Sequence, residues 1–310
     1  MKTRRAFLNH LAAASLVPSL LAVSERMPPK TFPIASQTYN WHTFYRREGK
    51  EWGSDLDAHI AEYVQTGLTA IEPSLASVDF TRTLVPILKK HGLAMPSAYV
   101  NSVLHKKGEA EKSVNEVLAI AEAAKGSGVK IFVTNPTPIQ WGVTTAVKSD
   151  AELMEQSKNV ERLGAALRER GITLAYHTHD MEMLAGAREF HHVLQNTSPR
   201  HVAFCYDVHW IYRGAQNSQV AVFDILKMYG KRIVELHIRQ SVGGIWCETF
   251  GSGDIDYQRF VKELVALKIR PHLVIEQCVE AKTPHTMDAV AAHKIDLAEV
   301  QKVFAPLIRS

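Results

Sequence analysis

Thr173-Leu174-Ala175-Tyr176-His177-Thr178-His179, Val202-Ala203-Phe204-Cys205-Tyr206-Asp207-Val208-His209, Ile233-Val234-Glu235-Leu236-His237-Ile238-Arg239 and Leu273-Val274-Ile275-Glu276-Gln277-Cys278 share one pattern. Successive side chains of a strand point to opposite faces. One face of these runs carries Leu174, Tyr176, Val202, Phe204, Tyr206, Val234, Leu236, Ile238, Leu273 and Ile275. The other carries Ala175, His177 and His179; Ala203, Cys205 and Asp207; Ile233, Glu235, His237 and Arg239; Val274, Glu276 and Cys278. The large apolar face suits covering helices. The mixed face suits an interior, and its polar groups come late in each run.

Working outward, apolar segments recur at Phe32–Asn40, Leu68–Leu75, Leu93–Asn101, Val129–Pro136, Ile172–Asp180, His201–Trp210, Arg232–Gln240 and His272–Cys278. Helix signals lie between them. Ser54 with Asp57, and Ser149 with Glu152, read as N-caps. Leu153, Val160, Leu163 and Leu167 share one helical face. Gly67, Gly92 and Gly171 stand where helices should stop. Eight strand–helix units predict a parallel sheet with right-handed crossovers, closed as a single (β/α)₈ barrel over residues 30–310. The competing open, doubly wound sheet needs a glycine-rich phosphate loop after its first strand. Here that position reads Thr38-Tyr39-Asn40-Trp41-His42.

Residues 1–24 predict a twin-arginine-type signal. Arg4 and Arg5 precede an uncharged apolar stretch from Leu11 to Val23, and small Ala22 and Ser24 flank a cleavage point. The expected location is the periplasm, with membrane contact during export alone. Lys2, Arg4 and Arg5 supply three of the four net positive charges. The remaining chain is nearly neutral, which argues against a nucleic-acid partner. Cys205, Cys247 and Cys278 show no paired spacing. Cys205 and Cys278 read as small buried hydrophobes.

Active sites of such barrels sit at the C-terminal ends of the strands. There His177, Asp207, His237 and Glu276 can converge on one divalent ion. The nitrogen–oxygen mixture suits manganese first, with zinc, cobalt or iron as alternatives. A hydrogen-bonded core network is the plainer alternative. The candidate general bases are Glu72, at the end of the second strand, His179 and Glu276. His209 and Arg239 follow proposed ligands by two residues and are candidate substrate contacts, as are Trp210 and Trp246. Trp41 and Trp141 also fall just after strands, where an aromatic face packs against a sugar or simply against its loop.

These residues carry a family resemblance. Tyr176-His177-Thr178-His179-Asp180-Met181-Glu182 looks like YHNHDFEF of the xylose isomerase-like barrels, the sugar phosphate isomerase/epimerase family. Tyr206-Asp207-Val208-His209-Trp210, Glu235-Leu236-His237-Ile238, Phe250-Gly251-Ser252-Gly253-Asp254-Ile255-Asp256 and Ile275-Glu276 follow in order. The resemblance covers nearly everything after residue 30. It implies metal ligands from strands five to eight, commonly Glu, Asp, His and Glu. Asp207, His237 and Glu276 match. The strand-five Glu is missing; His177 takes its approximate place, with His179 as the alternative ligand.

The resemblance implies a metal-dependent isomerase or epimerase acting on a small carbohydrate through an enediolate. A lyase or hydratase eliminating from a 3-keto-glycoside shares that enediolate. The three-metal endonucleases of the superfamily need histidines where this chain has Glu72, Ser97 and Tyr99. A non-catalytic sugar-binding barrel is the remaining class.

Overall fold

The computed structural model describes residues 33–308. The proposed signal, residues 1–24, lies outside them. Eight parallel strands are present: β1 (Ala35–Gln37), β2 (Ala70–Glu72), β3 (Ser97–Tyr99), β4 (Ile131–Thr134), β5 (Thr173–Tyr176), β6 (Val202–Asp207), β7 (Ile233–Ile238) and β8 (His272–Ile275). They pair in the order β2-β1-β8-β7-β6-β5-β4-β3. The ring is completed by bridges Ala70–Ala94 and Ser74–Tyr99, where Tyr99 N donates to Pro73 O at 2.9 Å. The expected barrel is therefore the observed architecture.

Its helices begin and end for local reasons. Ser149 and Glu152 form a full capping box at the start of Asp150–Glu169. Leu153, Val160, Leu163 and Leu167 of that helix are all buried. Leu56–Val64 is capped by Asp55, whose Oδ1 accepts from Ala58 N at 3.1 Å, one residue beyond the expected Ser54. Ser54 instead donates to Glu51 O within the preceding turn. Gly67, Gly92 and Gly171 adopt φ of +85°, +69° and +73°, the left-handed backbone that ends a helix most easily without a Cβ. No helix among the described residues is long and apolar enough to cross a membrane.

The main core fills the space between strands and helices; Leu174, Tyr176, Phe204, Tyr206, Leu236 and Ile275 belong to it. Inside the ring Ala35, Ala70 and Val274 form one small cluster, and Ile131, Val133, Ala175 and Cys205 another. One interior assignment changes. The β6–β7 register jumps from Phe204–Ile233 to Cys205–Glu235, so Val234 is extra. Such a bulge reverses the facing on one side of it. Ile233 joins the outer core, and Val234 packs on the interior cluster, opposite to simple alternation. From Glu235 onward the inward face is as expected.

Two short strands, Ser241–Val242 and Ile245–Trp246, form a hairpin after β7. The helix Val208–Gly214 begins at the end of β6, so His209 and Trp210 stand on its first turn rather than on a strand.

Candidate active site

Four neighbouring strands deliver the central cluster. β6 and β7 are aligned with Asp207 opposite His237. His177 follows β5, its N donating to Thr134 O at 2.9 Å; Glu276 follows β8, its N donating to Ile238 O at 3.0 Å. Ligand-type atoms of His177, Asp207, His237 and Glu276 lie within 4.8 Å of one another, and all four residues are buried. His177 Nε2 is 3.5 Å from Asp207 Oδ2 and 3.8 Å from Glu276 Oε2. His237 Nδ1 is 2.6 Å from Glu276 Oε2.

The donor set fits a divalent cation. Asp207 Oδ1 caps the following helix by accepting from Trp210 N at 2.7 Å. Its Oδ2, and both ring nitrogens of His177, are buried without a hydrogen-bond partner among the described residues. Two imidazoles and two carboxylates, held at one point with unsatisfied lone pairs, are the donors a borderline divalent ion takes. A buried carboxylate is otherwise costly.

The second nitrogen of His237 is equally well defined. His237 Nε2 lies 3.1 Å from Glu72 Oε1 and 3.4 Å from Glu235 Oε1. Ser97 Oγ donates to Glu72 Oε2 at 2.8 Å, and His272 Nδ1 sits 2.8 Å from Glu235 Oε2. Both ring nitrogens of His237 therefore face carboxylates; with an ion at the cluster, those on Nε2 would keep the ring proton there and leave the Nδ1 lone pair for the ion. Burial, then the charge of Glu235, pushes the Glu72 carboxyl up to about 7. Glu276 responds oppositely. Burial pushes it up, but the Arg239 guanidinium and His237 outweigh that and hold it well below the ordinary range.

Arg239 joins the cluster to an aromatic rim. Its Nη2 is 2.8 Å from Glu276 Oε1 and 3.6 Å from Asp207 Oδ2, and its Nε donates to Glu276 O at 2.7 Å. The guanidinium carbon stands 5.0 Å from the Trp210 ring centre and 4.3 Å from that of Trp246. His209 approaches Trp246 edge-on at 6.1 Å. Burial first, then Arg239 and Arg213, lowers the His209 pKa to about 2, so the ring is neutral. His179 packs edge-on against His177 at 4.8 Å, Trp210 at 5.2 Å and the exposed Trp141 at 5.1 Å.

The structure thus gathers His177, Asp207, His237, Glu276, Arg239, His179, His209, Trp210 and Trp246 at one end of the barrel. Glu72 lies behind His237. Trp41 does not join them: it is buried in the outer core, stacked on His293 at 4.8 Å. The three cysteines are free, and Cys205 and Cys278 are buried. Sequence reasoning missed two groups. Glu235, Ser97 and His272 form the layer beneath His237, and Glu235 alone carried a signal, through its inward position. The other group is Glu182, whose Oε2 accepts from His179 N at 2.6 Å and Oε1 from Asn135 Nδ2 at 3.1 Å. Asn135 in turn accepts from Tyr99 OH at 2.5 Å. Burial, then Glu189, pushes the Glu182 carboxyl up to about 7. Its signal was its place three residues after His179.

A closed parallel barrel with this cluster at its C-terminal rim defines a class. The chain belongs to the xylose isomerase-like TIM barrel family, whose model matches residues 60–297. No curated protein sequence matches it significantly. Among solved structures it is similar to a sugar phosphate isomerase/epimerase from Parabacteroides distasonis ATCC 8503, with a TM-score of 0.65, 19% identity, and coverage of 94% of this chain and 100% of that one. A D-allulose 3-epimerase from Methylomonas sp., in complex with D-allulose, matches with a TM-score of 0.66 and 13% identity over 88% of this chain and 98% of that one. A xylose isomerase-like TIM barrel protein from Mycobacterium smegmatis, in complex with magnesium, matches at 0.65 and 14% identity over 90% and 98%. At these identities the likeness is one of fold.

Proposed function

We propose that the protein is a metal-dependent carbohydrate isomerase or epimerase that moves a proton on the carbon beside a sugar carbonyl. The observation that carries this reading is the buried His177–Asp207–His237–Glu276 cluster, with Arg239 joining it to Trp210 and Trp246. The family, and the epimerase among its structural neighbours, support it. A divalent ion held by those four side chains, manganese first by donor type, would supply a Lewis acid for the carbonyl and its enediolate.

The chain's own groups divide the remaining work. Glu276, kept ionised beside Arg239, is the first candidate to take the proton. His179, on the β5 side of the site, is the candidate to handle a proton from another direction. Arg239 holds Glu276 in place, its Nη2 2.8 Å from Oε1, and sets a fixed positive charge beside the cluster. Trp210 and Trp246 offer aromatic surface for sugar C–H groups. Glu72 positions His237 instead of meeting substrate, because the imidazole stands between it and Glu276.

The test is incubation with keto-sugars in heavy water. Deuterium should appear beside the carbonyl, and only in metal-loaded protein. Products isomeric with the substrate support this reading; loss of water or an alcohol points to the lyase. Turnover of a substrate whose adjacent carbon bears no hydrogen contradicts both. On the sequence alone, we also propose export of the chain by a twin-arginine-type signal.

A further inference from the structure

Buried hydrogen-bonding atoms in folded proteins are nearly always paired. Beside the metal-type cluster a contiguous group is not. Arg239 Nη1, Trp210 Nε1, Trp246 Nε1 and both ring nitrogens of His209 are buried without a hydrogen-bond partner among the described residues. They belong together. The Trp210 and Trp246 ring centres are 5.5 Å apart, the Arg239 guanidinium lies within 5.0 Å of both, and His209 meets Trp246 edge-on.

The chemistry of this group is one-sided. A guanidinium nitrogen and two indole nitrogens donate and never accept, and they are three of the five unpartnered nitrogens; the His209 ring supplies the other two. A sugar hydroxyl must also place a proton of its own, which three pure donors cannot accept. A group with bare acceptor oxygens satisfies the set better. Its charge is bounded too. Arg239 Nη2 and Nε are engaged by Glu276 and Asp207, leaving the Nη1 side for a ligand. The neighbouring Arg213 is closed off: it holds Glu280 through Nη1 at 3.1 Å and Nη2 at 3.0 Å, and donates to Gly244 O at 2.8 Å. A carboxylate is the smallest sugar substituent that brings bare acceptor oxygens to that one nitrogen and the indole N–H groups beside it.

We propose that Arg239, Trp210, Trp246 and His209 form a subsite for the carboxylate of an acidic sugar, a uronate or keto-acid sugar. This proposal rests on the carbohydrate reading above and narrows it. The carboxylate would bridge the Arg239 Nη1 edge and the indole N–H groups, fixing the sugar with its carbonyl end toward His177 and Glu276.

The test compares three hexoses that differ only at carbon six: D-glucose, D-glucuronate and D-glucose 6-phosphate. Binding to the purified full chain is read by calorimetry. Glucuronate should bind at least about tenfold more tightly than either other sugar, as expected for a site built around charged hydrogen bonds. Changing Trp210→Phe and Trp246→Phe removes two N–H groups and keeps the rings. The double variant should lose about tenfold more affinity for glucuronate than for glucose. Equal binding of glucose and glucuronate, or tightest binding of the phosphate, overturns the subsite. So does an equal loss of both affinities in the double variant. Failure of the broader carbohydrate reading shows elsewhere, as the absence of hydrogen exchange from every keto-sugar, neutral or acidic.

Discussion

His237 turns Nδ1 to Glu276 Oε2 at 2.6 Å, so an imidazole from the seventh strand and a carboxylate beyond the eighth meet head-on inside the barrel. The opposite nitrogen is held by Glu72 at 3.1 Å. His237 thus turns one nitrogen to the four-residue cluster and the other to the layer beneath, which in the proposed reading separates groups that hold the site from groups that meet substrate.

In the proposed reading Glu72 is a positioning residue, and its substitution should act on metal binding. Glu72→Ala should weaken metal affinity roughly 10–100-fold, with Glu72→Gln closer to wild type because its amide oxygen still accepts. Metal titration by calorimetry checks this. Were Glu72 the proton-abstracting base, kcat would fall roughly 10²–10⁴-fold with metal affinity unchanged.

The inward face of strands five to eight was legible because alternation is a strict geometric rule and the polar groups were the exceptions to it. His177, Asp207, His237 and Glu276 came out of that rule alone. It failed at Ile233 and Val234, where the bulge inserts a residue that no local sequence feature announces. It failed again at His209, because Asp207 reads equally well as a strand end or as a helix cap. Trp41 misled for another reason: position after a strand says nothing about which way a ring turns. In the layer beneath His237, Glu235 was legible as inward-facing, but its link to Ser97 and His272 was not, because it depends on strands distant in sequence.

A buried carboxyl outside the site gives a pH prediction. Asp296 is buried, its Oδ1 accepts from Phe250 N at 2.6 Å, and its Oδ2 has no hydrogen-bond partner among the described residues. Burial raises its pKa well above the ordinary carboxylate value, against the opposing Phe250 hydrogen bond. A raised folded-state pKa favours the protonated fold. The stability it contributes is fully present below the unfolded value near 3.8 and is lost as pH rises through the folded value. Asp296→Asn, uncharged throughout, should gain Tm relative to wild type as pH rises from acidic to neutral, by roughly 1–3 kcal/mol in stability. Thermal melts across pH check it; a Tm difference independent of pH contradicts it.

The proposed export signal is tested by changing Arg4 and Arg5 together to Lys. The variant should remain in the cytoplasm while wild type is recovered from the periplasm, scored by fractionation and blotting. Periplasmic recovery of the variant removes the twin-arginine route.

Metal analysis of purified protein, wild type beside His237→Ala, tests the central claim most directly. The wild-type chain should carry about one divalent ion per molecule, as expected of a single four-donor site. His237→Ala should lose most of it while retaining a cooperative thermal transition. Equal metal content in the two proteins, or wild type that takes up no divalent ion when dialysed against manganese, would contradict the account.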